Sequence, residues 1–135
     1  MPRGEPIWLS REEVVAIHEL QLEQHGGLSG LRDAGALESA LALPRHQWHY
    51  KAADSVVACA AAYGFAIAKN HAFSDGNKRT AFQTMFVFLA LNGVDLVASE
   101  PDAVITMLDI ATGEMDEAAL AGWLRANTKA RRRRR

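Results

Sequence analysis

Apolar side chains recur along this chain at three- and four-residue intervals, and strictly alternating runs are scarce, so the pattern predicts an all-α domain. The first periodic segment opens at Ser10-Arg11-Glu12-Glu13, which reads as a capping box with Ser10 as N-cap. It carries Val14, Ile17 and Leu20 on one face and should stop at Gly26-Gly27. A loop through Gly30-Leu31-Arg32-Asp33 leads to a short second helix, about Ala34 to Leu43, with Asp33 as a good N-cap and Pro44 as its end. Residues Arg45 to Lys51 mix aromatic and polar side chains, which suits a small hairpin or flap.

From Asp54 to Ala68 the chain is apolar on most faces, as expected of a helix in the middle of a bundle. Small side chains at Ala58, Cys59, Ala60, Ala61 and Ala62 would let neighbours approach closely. After a polar interruption, Phe82, Met85, Phe86 and Leu89 form the next stripe, with Val87, Phe88 and Leu91 on the other side. Ser99 to Asp102 reads as a second capping box, and Val104, Met107 and Leu108 extend that helix to about Thr112-Gly113. A last helix, about Asp116 to Asn127, should bury Leu120, Trp123 and Leu124. The expectation is a compact bundle of about six helices, with a short flap before the central helix pair and no second domain.

Composition narrows the picture. Cys59 is the only cysteine, so no disulfide forms within the chain; a buried structural thiol in a reducing cytosol is expected. The first thirty residues carry five glutamates and no signal-peptide core, and no apolar stretch is long enough to span a bilayer, so a cytoplasmic protein without a membrane partner is expected. Residues 1–128 hold nine Lys and Arg against sixteen Asp and Glu, while Lys129 and Arg131 to Arg135 return six positive charges. The acidic body argues against sequence-specific nucleic-acid binding, and residues 129–135 read as a solvated, disordered basic tail.

The polar interruption carries the chemistry. His71-Ala72-Phe73-Ser74-Asp75-Gly76-Asn77-Lys78-Arg79 lies between two buried helices and opens the second of them. Free N–H groups in a first helical turn, the helix dipole and two cations together suit a phosphate chain. His71 carries an imidazole, which suits a general base; Asp75 is a hard oxygen ligand suited to Mg²⁺; Gly76 allows the turn. Phe73 should anchor the loop in the core. His46 and His49 lack neighbouring carboxylates or cysteines and read as surface residues rather than zinc ligands, and His18 and His25 as helix-surface residues without function.

This run resembles the signature of the Fic/Doc family, His-x-Phe-x-(Asp/Glu)-(Gly/Ala)-Asn-(Gly/Lys)-Arg, and the resemblance spans about residues 7–128, including GLRDAGALESALALP and the helix ending LNG. It implies a Fic/Doc-like catalytic domain with His71 as general base, Asp75 as Mg²⁺ ligand, and Gly76, Asn77, Lys78 and Arg79 around nucleotide phosphates. Lys78 stands where AMP-transferring members typically have glycine, and Phe82 where they have a second arginine. That pattern is similar to the Doc-type (death-on-curing) toxins, which transfer the γ-phosphate of ATP to a threonine of elongation factor Tu and halt translation. The resemblance further implies a target-docking flap at Arg45, Trp48 and Tyr50, and a Phd-like antitoxin whose C-terminal segment folds into a groove. The alternatives are an ordinary Fic-type AMP-transferase and a non-catalytic antitoxin-binding module.

Overall fold

The expected helices form, and one of them is enclosed by the rest. The computed structural model describes residues 4–50 and 53–131. In chain order they build α1 (Arg11–His25), α2 (Ala34–His49), α3 (Val56–Asn70), α4 (Asn77–Leu91), β1 (Val94–Leu96), α5 (Glu100–Thr112), α6 (Glu117–Ala126) and β2 (Thr128–Ala130). Helix α3 is central: α2, α4, α5 and α6 all pack on it, while α1 lies against α4 and α2. Cys59, Ala60, Ala61 and Ala62 are fully buried, because neighbours close in where side chains are short. Gly64 carries this furthest, since a Cβ there would stand 2.7 Å from Cγ of Met85 on α4. Larger groups fill the remaining space, with Tyr63 and Phe88 tilted at 4.8 Å between ring centres and Trp8 stacked on Phe88 at 5.9 Å.

Ser10 and Glu13 make the reciprocal capping box at α1, and Asp33 caps α2 by accepting the Ala36 N–H at 3.0 Å. Elsewhere the structure departs from the pattern. Helix α2 does not end at Pro44 but runs on to His49. Proline removes one N–H and crowds the carbonyl of Ala40, yet its ring is buried, and Leu41, Leu43 and Trp48 pack on the core on either side of it. Tertiary packing outweighs the local break. The connector to α3 is correspondingly short, and Arg45 and Trp48 are helical rather than part of a hairpin; Lys51 lies outside the described residues.

The basic tail is the second departure. Thr128–Ala130 pairs antiparallel with Val94–Leu96, in the register Val94↔Ala130 and Leu96↔Thr128. The Arg131 N–H donates to the Gly93 carbonyl at 2.8 Å, and its guanidinium lies 3.6 Å from Asp95. Backbone pairing is indifferent to side-chain charge, and the acidic partner favours it, so residues 128–131 join the domain instead of forming a free end. Arg132–Arg135 lie outside the described residues. Among the described residues, no helix is long and apolar enough to cross a membrane.

The third departure is one of phase. On α1 the buried residues are Val14, His18 and Gln21, and Leu20 is half exposed. On α4 the core takes Ala81, Thr84, Met85, Phe88 and Leu89, leaving Phe86 exposed and Phe82 partly so. On α5 it takes Ala103, Thr106, Met107 and Ile110, leaving Val104 and Leu108 exposed.

Two outcomes are expected from this packing. Gly64→Ala should destabilise the fold by about 1–3 kcal/mol, read as a lower urea midpoint, because buried Met85 has little room to move aside. Burial, helped by the nearby Asp54 charge, pushes the Cys59 thiol up to about 11. The folded state therefore holds that proton more tightly than the unfolded chain. The resulting stability is complete below about pH 8 and is lost as pH rises toward 11. Urea titrations of wild type and Cys59→Ala from pH 8 to 11 should show a steeper loss in the wild type.

Candidate active site

The polar run crosses from α3 to α4 with its middle buried. Ala72 and Phe73 are 1% exposed, whereas His71, Ser74 and Asp75 are exposed. A buried backbone needs partners, and the loop after α1 supplies them. The carbonyl of Ala72 accepts N–H groups from Arg32 at 2.8 Å and Asp33 at 2.9 Å, and the Ser74 N–H donates to Gly30 at 3.1 Å. Leu31 and Phe73 thus form an isolated antiparallel bridge. The Arg32 guanidinium donates to the His71 carbonyl at 2.8 Å. His71 caps the C-terminus of α3 with φ 50°, in the left-handed region, and is the only non-glycine residue among those described with positive φ.

Asn77 closes the loop from the other side. Its Oδ1 accepts the Phe73 N–H at 3.1 Å and its Nδ2 donates to the Phe73 carbonyl at 3.0 Å. Its side chain is thus committed to the loop, and what it offers an anion is its backbone N–H. Asp75 faces the glycine loop: Oδ1 accepts from Gly76 at 2.9 Å and Oδ2 from Leu28 at 3.3 Å. A Cβ at Gly27 would come within 2.8 Å of Oδ2, so glycine is required for the two loops to meet.

Helix α4 begins differently from the other five described helices. Ser10, Asp33, Ser55, Ser99 and Asp116 each cap a helix with a side-chain oxygen, but α4 has Gly76 at its N-cap and no side-chain cap. The amides of its first turn remain open to an incoming anion. Lys78 and Arg79 project there, exposed and, among the described residues, unpaired with any carboxylate. This end of α4 lines a cleft of about 610 Å³. Along α4 the wall passes from Asn77, Lys78 and Arg79 to Phe82, Gln83 and Phe86, with Val104 and Leu108 of α5 also lining it.

Asp75, Gly76, Asn77, Lys78 and Arg79 are therefore brought together, while His71 stands outside the cleft lining, on the exposed end of α3. Arg45, Trp48 and Tyr50 are not brought to this place. The Asn70 side chain donates to the Ala36 carbonyl, which sets the end of α3 beside the start of α2. At 1.5 Å per residue, Arg45 to Tyr50 lie roughly 13–21 Å further along α2. There Arg45 sits 5.6 Å over the Trp8 ring, Trp48 is half-buried, and Tyr50 is 83% exposed. His46 and His49 join no metal-ligating cluster among the described residues, and His49 instead contacts Glu5 at 3.2 Å.

Sequence reasoning missed three contributors, all on α1. His18, expected on a helix surface, is 2% exposed, and its ring stacks on Phe73 with centres 3.8 Å apart. Gln21 and His25 of the same helix line the cleft. Their spacing from Val14, at i+4, i+7 and i+11, was the available signal; it was hidden because all three side chains are polar, and apolar periodicity passes over them.

The fold and this loop place the chain in the Fic/DOC family, whose model matches residues 8–89; the chain belongs to that family. Within it, the chain is similar to Doc-type toxins. It is 33% identical over 117 residues to the "Protein kinase doc" of Escherichia phage P1, covering 87% of this chain and 92% of that protein. It is 36% identical over 120 residues to the "Toxin Doc" of Mycolicibacterium smegmatis, covering 87% and 90%.

Gly27→Ala is expected to cost about 1–3 kcal/mol, since it combines a φ of 124° with the clash against Asp75. Gly26→Ala, with φ 76° and open space around its Cβ, should cost less, and parallel urea melts would rank the two.

Proposed function

We propose that this chain is a phosphotransferase toxin of Doc type, transferring the γ-phosphate of ATP to a protein hydroxyl, with a threonine of elongation factor Tu as target. The observation that carries the reading is the uncapped start of α4, flanked by Lys78 and Arg79 and set beside Asp75 on a cleft wall. Backbone amides and two cations hold a polyphosphate there. In the transfer, the target hydroxyl loses its proton to a ring nitrogen of His71, an O–Pγ bond forms, the Pγ–O bond to the β-phosphate breaks, and ADP leaves. His71 is exposed at the loop entrance, where a protein substrate can reach it.

The donor set also fits Mg²⁺. No group of three or more His, Cys, Asp or Glu side chains gathers among the described residues, so a protein-only cage is absent. One exposed carboxylate next to a phosphate site is what Mg²⁺ ordinarily uses, shared with phosphate oxygens and water. Asp75 would hold it, and it would neutralise phosphate charge when bound.

Two further observations support this assignment. Phe82 lines the cleft where AMP-transferring members have a second phosphate-clamping arginine, which favours γ-phosphate transfer over AMP transfer. The phage P1 relative is named as a protein kinase. The apolar continuation of the cleft, through Phe82, Phe86, Val104 and Leu108, suits the apolar face of a short helix. An antitoxin segment folding there would cover side chains that otherwise face water.

The test is label transfer to purified elongation factor Tu from ATP labelled on the α- or the γ-phosphate. Transfer of γ-label alone is expected, falling about 10²–10⁴-fold in a folded His71→Ala variant. Transfer of α-label would replace the kinase with an AMP-transferase, and transfer unaffected by His71→Ala would remove His71 as the base.

A further inference from the structure

His18 is a buried titratable group that the transfer chemistry leaves unused, and its surroundings give it a specific task. Its ring lies nearly parallel to Phe73, at 11°, and its Nε2 is 2.8 Å from the Asp75 backbone carbonyl. A carbonyl only accepts, so Nε2 carries the proton and donates it. The peptide that begins with this carbonyl ends in the Gly76 N–H. Across a trans peptide the C=O and N–H point in opposite directions, and the described residues contain no cis bond. Holding the Asp75 carbonyl inward therefore turns the Gly76 N–H outward, to the side where Asp75 Oδ1 now receives it at 2.9 Å.

Gly76 is the residue at which this orientation could be lost. Its φ of 75° is one that glycine adopts freely, and with no Cβ little resists rotation of the adjoining peptide. A flipped peptide would present a carbonyl oxygen to a phosphate. The His18 ring also lies beneath this residue, since a Cβ at Gly76 would be 3.8 Å from Nε2.

We propose that His18 is a positioning residue that locks the Asp75–Gly76 peptide with its carbonyl turned inward and its N–H held on the Asp75 carboxylate, so that no carbonyl oxygen at the start of α4 opposes a polyphosphate. The proposal rests on the phosphate-binding reading above. Stacking on Phe73 fixes the ring, and the ring fixes the peptide.

The experiment compares the full chain with His18→Phe, which keeps an aromatic ring but removes the donor, and His18→Gln, which keeps a donor. His18→Met is a second variant without a donor, in case the phenylalanine does not fold. Inorganic triphosphate is titrated calorimetrically, and the Gly76 amide resonance is followed by NMR in the absence of ligand. The donorless variants are expected to shift the Gly76 resonance and to bind triphosphate about tenfold more weakly. His18→Gln should stay within about threefold of wild type. If the donorless variants match wild type, or if glutamine binds as weakly as they do, the proposal is overturned. Arg79→Ala separates the two readings. Binding weakened by Arg79→Ala but not by loss of the His18 donor removes the peptide lock alone. Absence of triphosphate binding by the wild type removes the phosphate-binding reading and the lock together.

Discussion

Burial of Ala72 and Phe73 in the middle of an otherwise solvated loop is the constraint on which the site depends. Enclosing the Phe73 ring contributes about 2–3 kcal/mol, but it also takes the backbone around it out of water. Every amide and carbonyl there must then be met by protein. Arg32 and Asp33 meet Ala72, Asn77 meets both polar groups of Phe73, and Gly30 meets Ser74. These obligations draw the ends of three helices to one point and leave His71, Asp75 and the first turn of α4 facing outward from a fixed base.

Helix α4 divides its surface between two duties. One face closes the core through Ala81, Met85, Phe88 and Leu89, and the adjoining face lines the cleft through Arg79, Phe82, Gln83 and Phe86. The cationic start and the apolar middle of one rigid element therefore share a single wall.

Much of this could be read from residue order, for identifiable reasons. Helix starts were legible because Ser10, Asp33 and Ser99 cap through local hydrogen bonds that involve no distant residue. The central position of α3 was legible because a helix without a polar face has nowhere else to go. The loop between α3 and α4, and the family it marks, were legible because nine consecutive residues carry the signature. What failed was decided at long range. Pro44 stays inside a helix because its ring and its neighbours are buried, the basic strand forms because β1 and Asp95 await it, and His18 turns inward because a carbonyl from residue 75 lies there. Phe82, Phe86, Val104 and Leu108 have the periodicity of core residues and yet face a cleft, since spacing alone cannot distinguish a surface that is filled from one that is left open.

The backbone of His71 has a consequence of a different kind. A left-handed conformation costs a side-chain-bearing residue on the order of 1 kcal/mol or more, and glycine almost nothing. The chain reverses at that residue between α3 and the buried Ala72, so a glycine there would relieve the helix end and make a sturdier protein. With an imidazole at the position instead, the domain should melt lower than it would with glycine there. If His71 is the base proposed above, stability and chemistry make opposite demands on this one backbone position.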